Sequence, residues 1–302
     1  MSFASVVKYK PDDTLLSVLP IHHTFECLVS FLLGLYSGSC TAFCEGLKHI
    51  ADNLKEFDIS VLATVPAILE SIYGKLKKLK AANGFEDFSF VKTLYPHFRL
   101  AIVGAASIDK GTVIAFNEMG ISCQQGYGLT ETSPVLSIET DVAKRPGSIG
   151  LPIPGVEIKI DNPNAEGIGE ICAKGDNVML GYYNNEEATK EVLKDGWLHT
   201  GDLGYLDDDC FLFICGRKKT VIVLDNGKNV FPEEVEVILN LNDEIVESFV
   251  FAEKKDSRLE LHAEIVYDSE HIKEKYGDIS EEEIYNIIGE VVRKTNKYII
   301  CR

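Results

Sequence analysis

Positive charge is scarce in this chain. Its 302 residues hold 30 Lys and Arg against 47 Asp and Glu, a formal net charge of −17. No basic surplus is available to neutralise a phosphate backbone, which argues against a general nucleic-acid binder or a protein held to anionic membranes by charge. A local basic site for a small phosphorylated ligand remains compatible with that balance. Long apolar runs are missing too. The longest, Cys27–Tyr36, is interrupted by Ser30 and Gly34 and is too short for a transmembrane segment. Peripheral membrane contact through an apolar surface stays open. Residues 1–10 show neither a long apolar region nor a cleavage-site pattern, so no signal peptide is expected. Zinc-finger spacing is also absent. Eight cysteines are scattered, Cys40 and Cys44 four apart and Cys210 and Cys215 five apart, with no histidine or cysteine set completing a pattern. The expectation is reduced core cysteines in a cytoplasmic protein.

What is present suits a globular enzyme-sized chain, with 45% hydrophobic and 25% charged residues. Thr14–Leu19 is an apolar run ended by Pro20 and reads as a buried strand. Phe25–Tyr36 is apolar nearly all round and reads as a core helix. Gly46–Phe57 has the pattern of an amphipathic helix, and Ile59–Thr64 that of a buried strand. Pro66 suits the first turn of a helix through Ala67–Lys80. Arg99–Val103 is another short strand, closed by Gly104, Ala105 and Ala106. Asp109 can cap a helix to Met119, with Gly120 as its stop. From Ile59 to Gln125 strands and helices alternate, the signature of a mainly parallel sheet.

After Pro134 the pattern changes to short strands punctuated by proline and glycine, among them Val156–Ile160 and Gly169–Ala173. Asn184–Leu193 reads as a short helix, and Tyr205–Cys215 as a hairpin turning at Asp207, Asp208 and Asp209. Beyond Gly216 come a strand at Thr220–Leu224, a turn at Asp225, Asn226 and Gly227, and a helix opening at Pro232. Two strands follow at Ser248–Glu253 and Leu259–Tyr267, then a capping box at Ser280–Glu283. The expected fold class is α/β: a mainly parallel sheet with helices plus a β-rich subdomain, followed by a small α+β C-terminal domain. The expected boundaries are 1–216 for the large domain (1–134 the sheet, 135–216 the β-rich part) and 217–302 for the small one, with a hinge near 217–219.

One stretch stands out: Gln125-Gly126-Tyr127-Gly128-Leu129-Thr130-Glu131-Thr132-Ser133-Pro134. An apolar run that reads as a strand feeds a loop of Gly, Thr and Ser, the place where α/β sheets bind ligands. Its N–H groups and hydroxyls suit phosphate, its carboxylate Mg²⁺, its ring a base. A polar turn with one buried Tyr explains the same residues, and the loop alone does not decide.

Three further segments accompany it in order: Leu19-Pro20-Ile21-His22-His23-Thr24-Phe25-Glu26; Trp197-Leu198-His199-Thr200-Gly201-Asp202; and Gly216-Arg217-Lys218-Lys219 with Asn226–Glu236. Together the four resemble the motifs of the adenylate-forming (AMP-binding) superfamily, most closely its long-chain fatty acyl-CoA synthetase branch, over nearly the whole chain. The resemblance implies an ATP-dependent acid–thiol ligase acting through an acyl-adenylate, with ATP/AMP, Mg²⁺ and CoA as its small molecules and a fatty acid as acyl donor. It implies Gly104, Ala105 and Ala106 on one side of adenine and Gln125, Gly126 and Tyr127 on the other, with Gly128 in the same nucleotide loop. Thr130 would bond the α-phosphate and Glu131 would hold Mg²⁺, these two being the catalytic pair. Asp202 and Arg217 would hold the ribose, His23 would stand at the mouth of the acyl site, and Lys219 would be the hinge. A carboxylate at 202 accepts from two hydroxyls at once, Arg217 adds a planar fork of donors, and glycines near 126 admit a close ligand. Other readings remain beside these: Gly201-Asp202 suits a turn, Arg217 and Lys219 a solvated linker, His23 a structural histidine, Trp197 the core.

Two family features have no match in these 302 residues: a Ser/Thr/Gly-rich phosphate loop before the histidine motif, and a catalytic lysine towards the C-terminus. Lys294 and Lys297 lack the lysine's Gly-Lys-type context. The chain is therefore expected to be a piece of a longer synthetase and, alone, a poor ligase. An adenylation domain loading a carrier protein and a non-catalytic nucleotide- or acyl-binding remnant are the alternatives.

Overall fold

The computed structural model describes residues 2–106, 108–224, 229–255 and 258–300. They form two compact units: Met1–Thr200 with Gly204–Ile214, and Gly201–Leu203 with Cys215–Arg302. Asn226–Lys228 of the last motif, the expected turn at 225–227 and the side chain of Lys297 lie outside the described residues.

The first unit is built on seven strands: β1 (Thr14–Ser17), β2 (Cys40–Phe43), β3 (Val61–Thr64), β4 (Leu100–Val103), β5 (Ser122–Gly128), β6 (Val135–Ile138) and β7 (Leu151–Pro152). Their order is β2-β1-β3-β4-β5-β6-β7. The first five run parallel, and β6 and β7 join antiparallel. Side chains alternate between two cores, as the pleat requires. Leu16, Leu62, Ala101 and Val103 pack beneath the helices Pro66–Asn83 and Lys110–Glu118. Leu15, Val61, Ala63, Leu100 and Ile102 face Phe25, Val29 and Leu33 on the other side. Each fully buried Leu, Ile or Val contributes roughly 1.5–3 kcal/mol, which makes these three short strands the anchor of the unit.

The sequence cues for helix ends hold at several points. Pro66 occupies the first helical turn, and Gly84 ends that helix left-handed. Asp109 Oδ2 accepts the Thr112 N–H at 2.7 Å. The segment Phe25–Tyr36, expected as a core helix, differs. It runs as Thr24–Glu26, a π-turn over Cys27–Leu32, and Leu33–Ser37. Leu32, Leu35 and Tyr36 are exposed, so only one side reaches the core. Strand β2 was not expected at all.

At the N-terminal side of the sheet, Arg99 pairs with buried Asp13, which also accepts from Ser60 Oγ at 2.8 Å and the Lys10 N–H at 2.7 Å. Burial pushes the Asp13 carboxyl up, but Arg99 and these hydrogen bonds outweigh it and hold it below its ordinary value.

A second sheet follows: β8 (Val156–Asp161), β9 (Gly169–Gly175), β10 (Leu193–Lys194) and β11 (Trp197–Leu206), in the order β10-β11-β9-β8, with β12 (Leu212–Arg217) paired to β11. The turn between β11 and β12 is held by Asp207, which pairs with Arg145. The short helix is Glu186–Val192, capped by Asn185.

In the second unit, β13 (Ile222–Val223) pairs with β14 (Asn229–Val230), and the helix Pro232–Leu239 follows. A long hairpin, β15 (Ile245–Lys255) and β16 (Arg258–Tyr267), then two helices, Ser269–Tyr276 and Glu281–Ile300, complete it. Ser280 and Glu283 form the expected capping box, Ser280 N to Glu283 Oε2 at 2.8 Å and Glu283 N to Ser280 Oγ at 3.3 Å. Leu239, Ile245, Val250 and Val291 make a small core. The seven described cysteines form no disulfide; Cys40 and Cys210 are exposed, against the expectation that the cysteines lie in the core. No helix among the described residues is long and apolar enough to cross a membrane.

Candidate functional site

Parallel strands align their carboxyl ends, so the segments after β1, β3, β4 and β5 emerge on one edge of the first sheet. Three of the expected stretches lie there. After β1 comes His23, exposed, preceding the helix Thr24–Glu26 and making no side-chain cap bond. After β4 come Gly104, Ala105 and Ala106. The Gly104 N–H donates to Thr64 O at 3.2 Å, and a Cβ there would meet the Phe25 ring at 3.2 Å. The histidine motif therefore packs on the Gly104 corner through Phe25. Ala105 is held at φ +74°, a left-handed conformation that disfavours a side chain. Ala105 and Ala106 are exposed.

On the neighbouring strand, Gln125 stands opposite Val103, next to Gly104. Gln125, Gly126, Tyr127 and Gly128 belong to β5 rather than to a loop, which corrects the sequence reading. Gly126 and Tyr127 pair with Ile138 and Ser137 of β6. This antiparallel partner, out of reach of local sequence cues, extends the strand through its glycines. The glycine argument also changes. A Cβ at Gly126 would make only ordinary contacts, the nearest 3.5 Å from Ser137 O. At Gly128 it would fall 1.6 Å from Pro134 O. Gly128 is required so that the turn can close on itself.

That turn is Leu129–Pro134. Thr130–Thr132 form one 3₁₀ turn, and Ser133 is left-handed at φ +55°. Thr132 is fully buried. Its Oγ1 accepts the Leu129 N–H at 2.9 Å and donates to Pro134 O at 2.7 Å. Asn177 Nδ2 donates to Thr132 O and Val135 O, both at 2.9 Å. So held, the turn presents Thr130 to solvent and leaves Glu131 half-buried. Tyr182 donates its hydroxyl to Glu131 Oε1 at 2.8 Å, and the Met179 N–H donates to Glu131 O at 2.8 Å. Burial, and then the Glu131 carboxylate, push the Tyr182 phenol up, so it stays a donor at neutral pH. Asn177, Met179 and Tyr182 were missed. They lie about fifty residues downstream, and only their aromatic and glycine-rich context, Leu180-Gly181-Tyr182-Tyr183, hinted at a turn.

Asp202, Arg217 and Lys219 belong to the second unit. Gly201 takes φ +75° and delivers Asp202 inward, its side chain 6% exposed. Arg217 Nε reaches Asp202 Oδ1 at 3.1 Å while its own side chain is 59% exposed. The Lys218 N–H donates to Gly201 O at 2.8 Å, fixing the two segments side by side. A Cβ at Gly216 would meet the Phe231 ring at 2.9 Å. Lys219 is exposed in the turn after β12. Trp197, in the first unit, is half-buried with Lys159 Nζ 4.5 Å over its ring.

Chemically, the first unit offers two adjacent strand ends with exposed backbone, a hydroxyl, and a hard carboxylate oriented by a phenol. Glu131 has the oxygen chemistry Mg²⁺ demands, and Tyr182 fixes its direction as an outer partner does around a bound metal. The second unit offers a buried carboxylate steadied by a guanidinium.

A family model described as AMP-binding enzyme matches residues 1–183. The chain is 32% identical over 300 residues to 4-coumarate--CoA ligase 3 of Oryza sativa subsp. japonica, covering 94% of this chain and 51% of that protein. It is 32% identical over 245 residues to a long-chain-fatty-acid--CoA ligase of Yersinia pestis, covering 79% and 42%. The chain thus spans about half the length of the curated relatives it matches. Among solved structures, the ATP-bound RpMatB-BxBclM chimera B1 superposes with a TM-score of 0.78 at 26% identity, covering 97% of this chain and 56% of that one.

Proposed function

The chain belongs to the AMP-binding enzyme family, and from that premise we propose that it carries the nucleotide edge of an AMP-forming acid–thiol ligase. The observation that carries the reading is the Glu131 carboxylate, held by Tyr182 on a turn that Gly128, Thr132 and Asn177 build at the carboxyl edge of the parallel sheet. In the proposed reaction a carboxylate attacks the α-phosphate of ATP, releasing pyrophosphate and forming an acyl-adenylate. The thiol of CoA then displaces AMP. Adenylation turns a poor leaving group into a good one, and no covalent enzyme nucleophile is needed.

Gly104–Ala106 and Gln125–Tyr127 flank the adenine in this reading, and Gly128 closes the turn beneath. Thr130 donates its hydroxyl to the α-phosphate. Glu131 holds Mg²⁺, which when bound neutralises charge on the phosphates. Asp202 accepts from the ribose hydroxyls and Arg217 steadies it. His23 stands at the acyl entrance, and Lys219 is the pivot at the boundary proposed near 217–219. The acyl donor is proposed to be a fatty acid, as in the names of several relatives; 4-coumarate ligases at similar identity make an aromatic acid the competing substrate. The site of action is proposed to be the cytoplasm.

The test is ATP–pyrophosphate exchange and thioester formation with a fatty acid or 4-coumarate, and with CoA or a phosphopantetheinyl carrier protein. Exchange stimulated by fatty acid and thioester formation on free CoA support the reading. Acceptance of the carrier alone would replace it with an adenylation domain. For the 302-residue chain assayed by itself, adenylate binding with weak turnover is expected; rapid acyl-CoA synthesis would contradict that part.

A further inference from the structure

We propose that His199, Glu170 and Asp161 form a site for one divalent transition-metal ion of the zinc class, on one face of the second sheet and independent of the nucleotide edge. Asp161 ends β8 directly opposite Glu170 on β9, and His199 lies on β11, the next strand of the sheet. One ligand atom from each lies within 4.8 Å of the other two. His199 Nδ1 is 3.1 Å from Glu170 Oε2, and the buried Cys172 Sγ is 3.4 Å from the same nitrogen. Two ligand atoms bound to tetrahedral zinc at about 2.0–2.1 Å stand about 3.3 Å apart. The His199–Glu170 contact is a hydrogen bond, and an ion replacing its proton would need almost the same spacing.

The electrostatics point the same way. Glu170 is buried, 9% exposed, and a second carboxylate faces it across the strand pair. Like charges so placed repel, and a shared dication converts that repulsion into attraction. Asp161 Oδ2 accepts from Asn162 Nδ2 at 2.8 Å, which orients the carboxylate from outside. Lys159 and Lys174 share this face of the sheet, and both ammonium groups lie over the Trp197 ring, at 4.5 and 5.9 Å. One imidazole with two carboxylates favours zinc over magnesium or calcium, whose sites are built of oxygen alone. The ion would tie β8, β9 and β11 together three residues before Asp202, a structural role.

The test titrates Zn²⁺ alone into the nucleotide-free chain by calorimetry. Trp197, the one tryptophan in the sequence, reports separately, because residues 197 and 199 point to the same side of β11 and Co²⁺ bound there quenches it. The expected result is 1:1 micromolar binding and Co²⁺ quenching reversed by Zn²⁺. His199→Gln and Asp161→Asn should each weaken binding by at least the ~10–100-fold that loss of an outer partner causes. Asp161 is on an edge strand and half-buried, so Asp161→Asn decides the matter if His199→Gln does not fold. Absence of saturable micromolar binding overturns the proposal. So does binding unchanged in Asp161→Asn, which would mark an ion held elsewhere, for instance at exposed Cys40 or Cys210.

Discussion

The turn at Leu129–Pro134 and the segment joining Asp202 to Arg217 carry motif residues of the same family, yet they hold them in opposite ways. The turn is fixed by residues other than Thr130 and Glu131. Gly128 leaves no room for a side chain, Thr132 is buried in its own hydrogen bonds, and Asn177 ties Thr132 O to Val135 O. At the Asp202 segment the Lys218 N–H bonds Gly201 O, and the Asp202 carboxylate itself pairs with Arg217, whose side chain is mostly in solvent. The difference separates what a ligand touches from what holds the touching residue in place. In the proposed site those are different residues in the turn and the same residues in the Asp202–Arg217 pair.

That contrast orders the expected effects of mutation. The largest is at Gly128. Gly128→Ala must displace the Pro134 carbonyl, and we expect a loss of about 4 kcal/mol or more in urea unfolding, with nucleotide binding abolished. A variant as stable as the parent would remove the claim that backbone closure builds the turn. Thr132→Val comes next. It keeps the shape but strands the Leu129 N–H, and we expect a loss of about 2 kcal/mol by the same measurement. Tyr182→Phe should cost about 1 kcal/mol or less in stability while weakening Mg²⁺-dependent nucleotide binding severalfold, because it frees Glu131 to rotate. The smallest stability effect is at Arg217. Arg217→Gln should change stability by no more than about 0.5 kcal/mol, since the guanidinium is mostly in solvent and a Gln amide can still donate to the buried Asp202 carboxylate, while nucleotide affinity falls. If Arg217→Gln unfolded the chain and Thr132→Val did not, the contrast would be reversed.

A control away from both regions is Asp13. Its folded carboxyl titrates below its ordinary value, so its contribution to stability is complete above that ordinary value and is lost as pH falls through the folded one. Acid unfolding of Asp13→Asn should show a correspondingly shallower dependence on pH below about 4.

Much of the framework was legible because its signals are local. Pro66 at a helix start, Asp109 as a cap and the Ser280–Glu283 box are decided within four residues of chain. The alternation of strand and helix from Ile59 to Gln125 is equally local, and the parallel sheet follows from it. The misreadings are all long-range. Cys40–Phe43 is a strand only because β1 pairs with it. Gln125–Gly128 reads as loop from its glycines but is strand because β6 lies alongside. Phe25–Tyr36 is apolar throughout, and sequence alone does not tell which side faces Leu15 and Val61. At the site, motif residues could be named in advance, whereas Asn177 and Tyr182 had no signal beyond a turn. The Asp161–Glu170–His199 cluster escaped for the same reason: its spacing fits no linear metal pattern, and three strands bring it together.

The central claim is that the Gln125–Pro134 segment is a nucleotide and Mg²⁺ edge organised around Glu131. The most direct test is calorimetric titration of ATP, with and without Mg²⁺, into the 302-residue chain and its Glu131→Ala variant. The account predicts that Mg²⁺ tightens ATP binding to the parent and that Glu131→Ala removes this gain while leaving Mg²⁺-free binding within about twofold, less than 0.5 kcal/mol. Equal Mg²⁺ enhancement in both proteins would contradict it.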